Sequence, residues 1–217
     1  MLGKKLINSG PSGGGGGANT FASENFNTVL YTGNGSTQRI GGYINRGAVF
    51  SGSGSYIQTA LPSSSIYALS FWLYFESGVT QYTPFGTDVG SGAGDIVTEL
   101  GTNGSFAITI QNKAYGKGAG ALGSTGWKHI AYSSDQTLYI NGVLQTGGST
   151  VTNSNPSANL LIGSWNNTFP SWGAFNSKLD QIRVFNRNLT SSEVTTLYGE
   201  TYASASKSVT DIFNDNS

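Results

Sequence analysis

Between Phe26 and about Ile182 the apolar residues come in short runs, broken at roughly 8–15-residue intervals by Gly, Ser, Thr and Asn, a rhythm that points to an antiparallel β-sandwich or barrel. Strands are predicted near 27–32, 46–50, 55–59, 67–76, 95–100, 105–111, 127–133, 137–141, 143–146, 159–164 and 179–185. The most apolar of these, Tyr67 to Phe75, places Leu69, Phe71, Leu73 and Phe75 on one face and Ser70, Trp72 and Tyr74 on the other, so it reads as a central strand. Asn141-Gly142, set between two apolar runs, predicts a tight hairpin because both residues tolerate positive φ. One short helix is written at the far end. Thr190-Ser-Ser-Glu193 is a capping box, Val194, Leu197 and Tyr198 follow at helical spacing, and Gly199 stops it.

Composition narrows the function. At 217 residues the chain has room for one domain with its own core. Its 11 Lys+Arg balance 11 Asp+Glu and do not cluster, which argues against nucleic acid as a partner. Without cysteine there is no disulfide, thiolate metal site or cysteine nucleophile. Met1 to Ser9 has two lysines but only a two-residue apolar run before Gly10-Pro11, which does not read as a secretory signal, and no stretch approaches the roughly 20 apolar residues of a membrane span. The expectation is cytosolic synthesis without membrane insertion. Residues 1–20 form a Gly-rich arm, with five glycines at 13–17 and no large apolar side chain from Ser9 to Thr20; the arm is expected to be held by a neighbouring subunit. Residues 21–200 are expected to form the domain and 201–217 a tail or linker.

Several blocks resemble the laminin-G-like, concanavalin A-like jelly-roll family, and they stand in that family's order. They are Gly47-Ala-Val-Phe50-Ser-Gly-Ser-Gly-Ser-Tyr56-Ile57, Ala68-Leu-Ser-Phe-Trp72-Leu, and Gly126-Trp127-Lys-His129-Ile-Ala131 leading to Leu138-Tyr-Ile140-Asn-Gly142. Leu161-Ile-Gly163 follows, and then Leu179-Asp180-Gln-Ile182-Arg-Val-Phe185-Asn-Arg187-Asn-Leu189-Thr-Ser-Ser-Glu193. The resemblance implies an all-β, antiparallel two-sheet jelly-roll sandwich with one short helix near the C-terminus. Ser177 stands where the family usually has glycine. A narrower resemblance, in Phe26 to Ile40 and again in Leu197 to Phe213, is to structural proteins of tailed, marine-type phage virions.

The candidate sites are few. His129 is the only histidine, so any Ser-His-Asp arrangement would run through it, yet its strand setting reads as structural. Gly118-Ala-Gly120-Ala-Leu-Gly123 matches G-x-G-x-x-G but lacks the strand-to-helix context that would let it cradle a phosphate. Asp95 and Glu99 would be about 13 Å apart along a strand, too far for a retaining glycosidase pair. Asp88 and Asp95 flank an oxygen-rich Gly/Ser loop that could contribute calcium ligands, although calcium wants six or more oxygens. Trp165, Asn166, Asn167, Phe169 and Trp172 interleave aromatic rings with amides, a pattern suited to sugar faces and hydroxyls or to a subunit interface.

These readings favour a non-enzymatic viral structural protein: a jelly-roll module on a phage particle, as head decoration, fibre or tail-associated adhesin, assembled in the host cytoplasm. Its partners would be other copies of itself, other virion proteins and host surface glycan, with no cofactor beyond calcium. A free carbohydrate-binding lectin is the alternative, and a glycoside hydrolase the third.

Overall fold

A computed structural model describes residues 43, 46–52, 56–89, 93–166 and 175–199, together with the backbone of strands at 8–9, 20–24 and 37–40. Among them run β1 (Asn8–Ser9), β2 (Thr20–Glu24), β3 (Thr37–Ile40), β4 (Arg46–Val49), β5 (Ile57–Pro62), β6 (Ala68–Phe75), β7 (Phe85–Thr87) and β8 (Val97–Leu100). They are followed by β9 (Phe106–Ile110), β10 (Lys113–Lys117), β11 (Gly126–Ser133), β12 (Thr137–Ile140), β13 (Val143–Leu144), β14 (Ser149–Thr152), β15 (Asn159–Ile162), β16 (Lys178–Phe185) and α1 (Ser191–Tyr198). The predicted strand at 27–32 and the tail at 201–217 lie outside the described residues. The strands flanking the Gly-rich stretch, β1 and β2, pair with each other, and β2 joins the edge of β16.

A nine-stranded sheet follows the order β1-β2-β16-β6-β11-β12-β13, with β3 and β4 attached through β16. At its centre β6 and β11 pair antiparallel over eight unbroken residues, Ala68↔Ser133 to Phe75↔Gly126. The alternation read in the sequence decides the faces. Leu69, Phe71, Leu73 and Phe75 enter the core with Ile130, Tyr132, Leu179 and Ile182, while Ser70, Trp72 and His129 lie on the opposite face. Leu179 and Ile182 are three apart, an odd spacing that would turn one of them outward in a regular strand. A bulge at Gln181, with φ at +48°, restores the phase so that both enter.

The opposing layer is not the single sheet predicted but two, a four-stranded β14-β10-β9-β8 and a three-stranded β5-β15-β7. Phe85, Leu160 and Ile162 of one share the core with Ile108, Ile110 and Phe106 of the other. Six strands are not predicted: β1, β2 and β3 in the large sheet, and three in this layer, where β7 is three residues long, β10 turns only Tyr115 into the core and β14 is exposed throughout, so none of the three carries apolar alternation. The β9–β10 hairpin turns through Gln111 and Asn112, both at positive φ, without the glycine that marks Asn141-Gly142. Helix α1 has the capping box read from the sequence, and it buries Val194 and Leu197 against Ala68, Ala131, Phe185 and Leu189 on the outer face of the large sheet.

Candidate functional site

Of the two segments singled out in the sequence, the described ends, 88–89 with 93–95 and 165–166, come to either side of β7. Where β7 faces β8 the ladder is interrupted: the Phe85 N–H donates to Thr98 Oγ1 at 2.7 Å, and the Thr98 hydroxyl donates back to the Phe85 carbonyl at 3.2 Å. One side chain does the work of a neighbouring peptide. Just beyond, the chain leaving β15 folds back along β7, so that the Thr87 N–H donates to the Trp165 carbonyl at 3.2 Å. A β-carbon at Gly86 would run into that carbonyl, and one at Gly94 would collide with Thr87 Oγ1, so both close approaches require glycine.

This seam leaves polar atoms over. Thr87 Oγ1, Asp95 Oδ1 and Trp165 Nε1 are buried without a hydrogen-bond partner among the described residues. Buried polar groups are ordinarily paired, and water or a ligand takes that place where the fold does not. Asp95 is 1% exposed, with Oδ2 accepting from Ser157 Oγ at 2.8 Å; Asp88 is half-buried and accepts from Gln58 Nε2 at 2.7 Å. The two carboxylates anticipated as joint calcium ligands are thus engaged by separate partners, and no group of three or more His, Asp or Glu that could hold a metal gathers among the described residues. Glu99 is exposed on β8 while Asp95 is buried ahead of it, so they do not share an environment as a strand-borne pair would.

Of the aromatic-amide loop, Trp165 is half-buried and Asn166 is fully buried, next to Ser164, whose hydroxyl donates to the Asn166 carbonyl. Asn166 is thus buried at the described start of this loop, its carbonyl held by Ser164. Asn167, Phe169 and Trp172 lie outside the described residues. The stem is firmly tied: Gly163 N–H donates to the Pro84 carbonyl, Phe175 N–H to the Gly163 carbonyl, and Asn176 N–H to the Gln81 carbonyl. Tyr82, between two of these ties, went unnoticed because nothing in its local sequence signals an exposed ring at positive φ.

His129 sits elsewhere, on the outer face of the large sheet. Its Nε2 is 2.9 Å from Ser70 Oγ, a contact that resembles a nucleophile-base pair, but both residues are 1% exposed and the imidazole Nδ1 has no partner to orient it. The Trp72 and Tyr198 rings lie 5.3 and 5.8 Å from it, and Tyr43 stacks on Trp72. Burial, assisted by the Arg183 charge, holds the His129 pKa down at about 3, so the ring is neutral near pH 7. The Gly118–Gly123 segment is a loop that ties back to Asn103 and Gly104 and buries Leu122; it opens no helix.

Two layers, a C-terminal helix and a rim of loops along an interrupted seam define a lectin-type jelly roll. A family model described as the concanavalin A-like lectin/glucanases superfamily, of the laminin-G group, matches residues 50–195, and the chain belongs to that family. Domain 4 of AbnA, a GH43 extracellular arabinanase from Geobacillus stearothermophilus solved with arabinotriose, is similar at 22% identity, over 84% of this chain and 88% of that one, with TM-score 0.50. The binding domain of Paraclostridial Mosquitocidal Protein 1 matches at 18% identity, over 79% of this chain and 47% of that one, with TM-score 0.53. The receptor-binding domain of a botulinum neurotoxin C/D mosaic matches at 12%, over 75% and 44%, with TM-score 0.54. The chain spans less than half the length of either toxin chain, and at these identities the likeness is one of fold. No curated protein matches the sequence closely enough to count as a relative. No helix among the described residues is long and apolar enough to cross a membrane.

Proposed function

We propose that this chain is a non-enzymatic saccharide-binding jelly roll that serves as a structural module of a phage particle, as decoration, fibre or tail-associated adhesin, with the seam along β7 as its contact strip. One observation carries the binding reading: residues 87–89, 93–95 and 163–166 flank β7 and leave three buried polar atoms, a carboxylate oxygen, a hydroxyl and an indole N–H, with no bond among the described residues. A sugar hydroxyl, both donor and acceptor, suits that mixture. The family includes lectins, and the arabinanase domain was solved with a trisaccharide, which supports the same reading. The separation of Asp95 from Glu99 and the sealing of Ser70 with His129 favour binding over hydrolysis. The particle setting rests on the resemblance of residues 26–40 and 197–213 to virion proteins.

A glycan array followed by calorimetry, with and without calcium, tests the binding reading. Saturable binding that is lost in Asp95→Asn and Trp165→Ala supports it; release of reducing sugar by the wild-type chain would overturn it. Mass spectrometry of purified particles tests the setting, and absence of the chain from them would leave the free lectin as the better account.

A further inference from the structure

Six non-glycine residues among those described hold positive φ: Tyr82, Gln111, Asn112, Gln136, Asn141 and Gln181, between +48° and +68°. Five are amides, and in each case the fold uses the amide. Gln111 donates to the Ser63 and Ile66 carbonyls, Asn112 bridges to the Asn155 backbone, Gln136 donates to the Ala114 and Val151 carbonyls, Asn141 accepts from the His129 N–H, and Gln181 accepts from Arg183. Tyr82 is the exception. It is 47% exposed, and its ring and hydroxyl make no hydrogen bond or ring contact with the described residues. A bulky residue in the left-handed region is strained, and no bond made by Tyr82's own side chain to the described residues offsets that strain; bonds of its chain neighbours hold it.

The backbone on either side is bolted down. Gln81 is buried, with its Nε2 donating to the Tyr74 carbonyl, its Oε1 accepting from the Glu76 N–H and its carbonyl accepting from Asn176; the Pro84 carbonyl accepts from Gly163. The fold thus holds an aromatic ring out between the ties to Gly163 and Asn176, three residues ahead of β7, the strand whose far end carries Thr87. The segments lining the strip, 81–89, 93–100 and 155–166, contain Asp88, Asp95 and Glu99 but no Lys or Arg.

Resting on the reading of the seam as a saccharide strip, we infer that Tyr82 is its stacking platform and that the ligand is a neutral saccharide. Rings of this kind meet the C–H face of a sugar, and a strip with carboxylates and no cation disfavours acidic sugars. Backbone strain is kept at Tyr82 because the ring's outward pose serves the ligand.

The test compares Tyr82→Asn, Tyr82→Phe and Trp165→Ala in the full chain, using a panel of neutral arabino-, xylo- and gluco-oligosaccharides with 3′-sialyllactose as the acidic probe. Asparagine tolerates this backbone, so Tyr82→Asn should melt at or above the wild-type temperature while its affinity for the best neutral oligosaccharide falls about tenfold. Tyr82→Phe should bind within about threefold of wild type, since the stacking face is kept. Unchanged affinity in Tyr82→Asn, a drop in its Tm of more than about 3 °C, or preference for 3′-sialyllactose would overturn the inference. If Trp165→Ala abolishes binding and Tyr82→Asn does not, Tyr82 alone is misassigned. If the wild type binds no member of the panel, the seam reading falls and the inference with it.

Discussion

The β6–β11 ladder and the β7–β8 seam are both strand-to-strand contacts in the same core, yet they are built on opposite terms. The ladder runs eight residues in constant register, with Leu69, Phe71, Leu73, Phe75, Ile130 and Tyr132 turned into the core, while α1 packs on its outer face and Tyr43 stacks on Trp72 there. The seam is bridged by a threonine hydroxyl, borders a three-residue strand and leaves a hydroxyl, one carboxylate oxygen and an indole N–H unbonded among the described residues. Cohesion concentrates where the pattern is regular. The capacity to bind is left where it breaks.

The sharpest way to strain this contrast is to damage the ladder. Phe71 is fully buried and packs on Phe85, ring centroids 4.6 Å apart; Phe71→Ala should cost about 3–5 kcal/mol in denaturant unfolding, and a loss below about 1 would deny that the core centres there. Thr98→Val probes the seam directly. It keeps the shape but leaves the Phe85 N–H without an acceptor, so it should cost about 1–3 kcal/mol and raise amide exchange at Phe85 while exchange in β6 holds steady.

Acid separates the two regions again. His129 binds its proton in the folded chain only near pH 3 but near pH 6.5 when unfolded. Between those values the unfolded state holds more protons, so stability falls as pH falls, approaching about 1.4 kcal/mol per pH unit from this group. Urea titrations from pH 7 to pH 4 should show His129→Gln losing less stability than wild type over that window; parallel loss would mean the ring is not buried neutral. The smallest effect lies at the helix. Thr190→Ala removes the cap of α1 and should cost about 1 kcal/mol without touching seam or ladder. Glu193, bonded to Arg187 and the cap, has its pKa lowered to about 2, so its contribution is present above the ordinary carboxylate range and is lost as pH falls toward 2.

The parts of this fold legible in the sequence are those that repeat. Tyr67 to Phe75 announced its two faces, Asn141-Gly142 its turn and Thr190 to Glu193 its cap, because each rests on local geometry that a few residues enforce. The division of the second layer did not show, since it depends on Thr98 meeting Phe85 across 13 positions and on Trp165 folding back over Gly86. The candidate site is legible in halves: Asp95 and Trp165 stand out for their chemistry, but that Thr87 meets both Gly94 and the Trp165 carbonyl is a tertiary event. At Asn166 the same amide suits a sugar or an anchor, and residue type alone does not separate the two. Tyr82 gave no signal, as a backbone angle set by Gln81 and Asn176 is not written in neighbouring residue types.

Hydrogen exchange along the whole chain, with and without the best oligosaccharide from the array, tests the central claim most directly. Protection confined to residues 81–89, 94–95 and 163–166, with β6 and β11 unchanged, is the result this account predicts. Protection spread over the β6–β11 face around His129 and Trp72, with the seam unaltered, would contradict it.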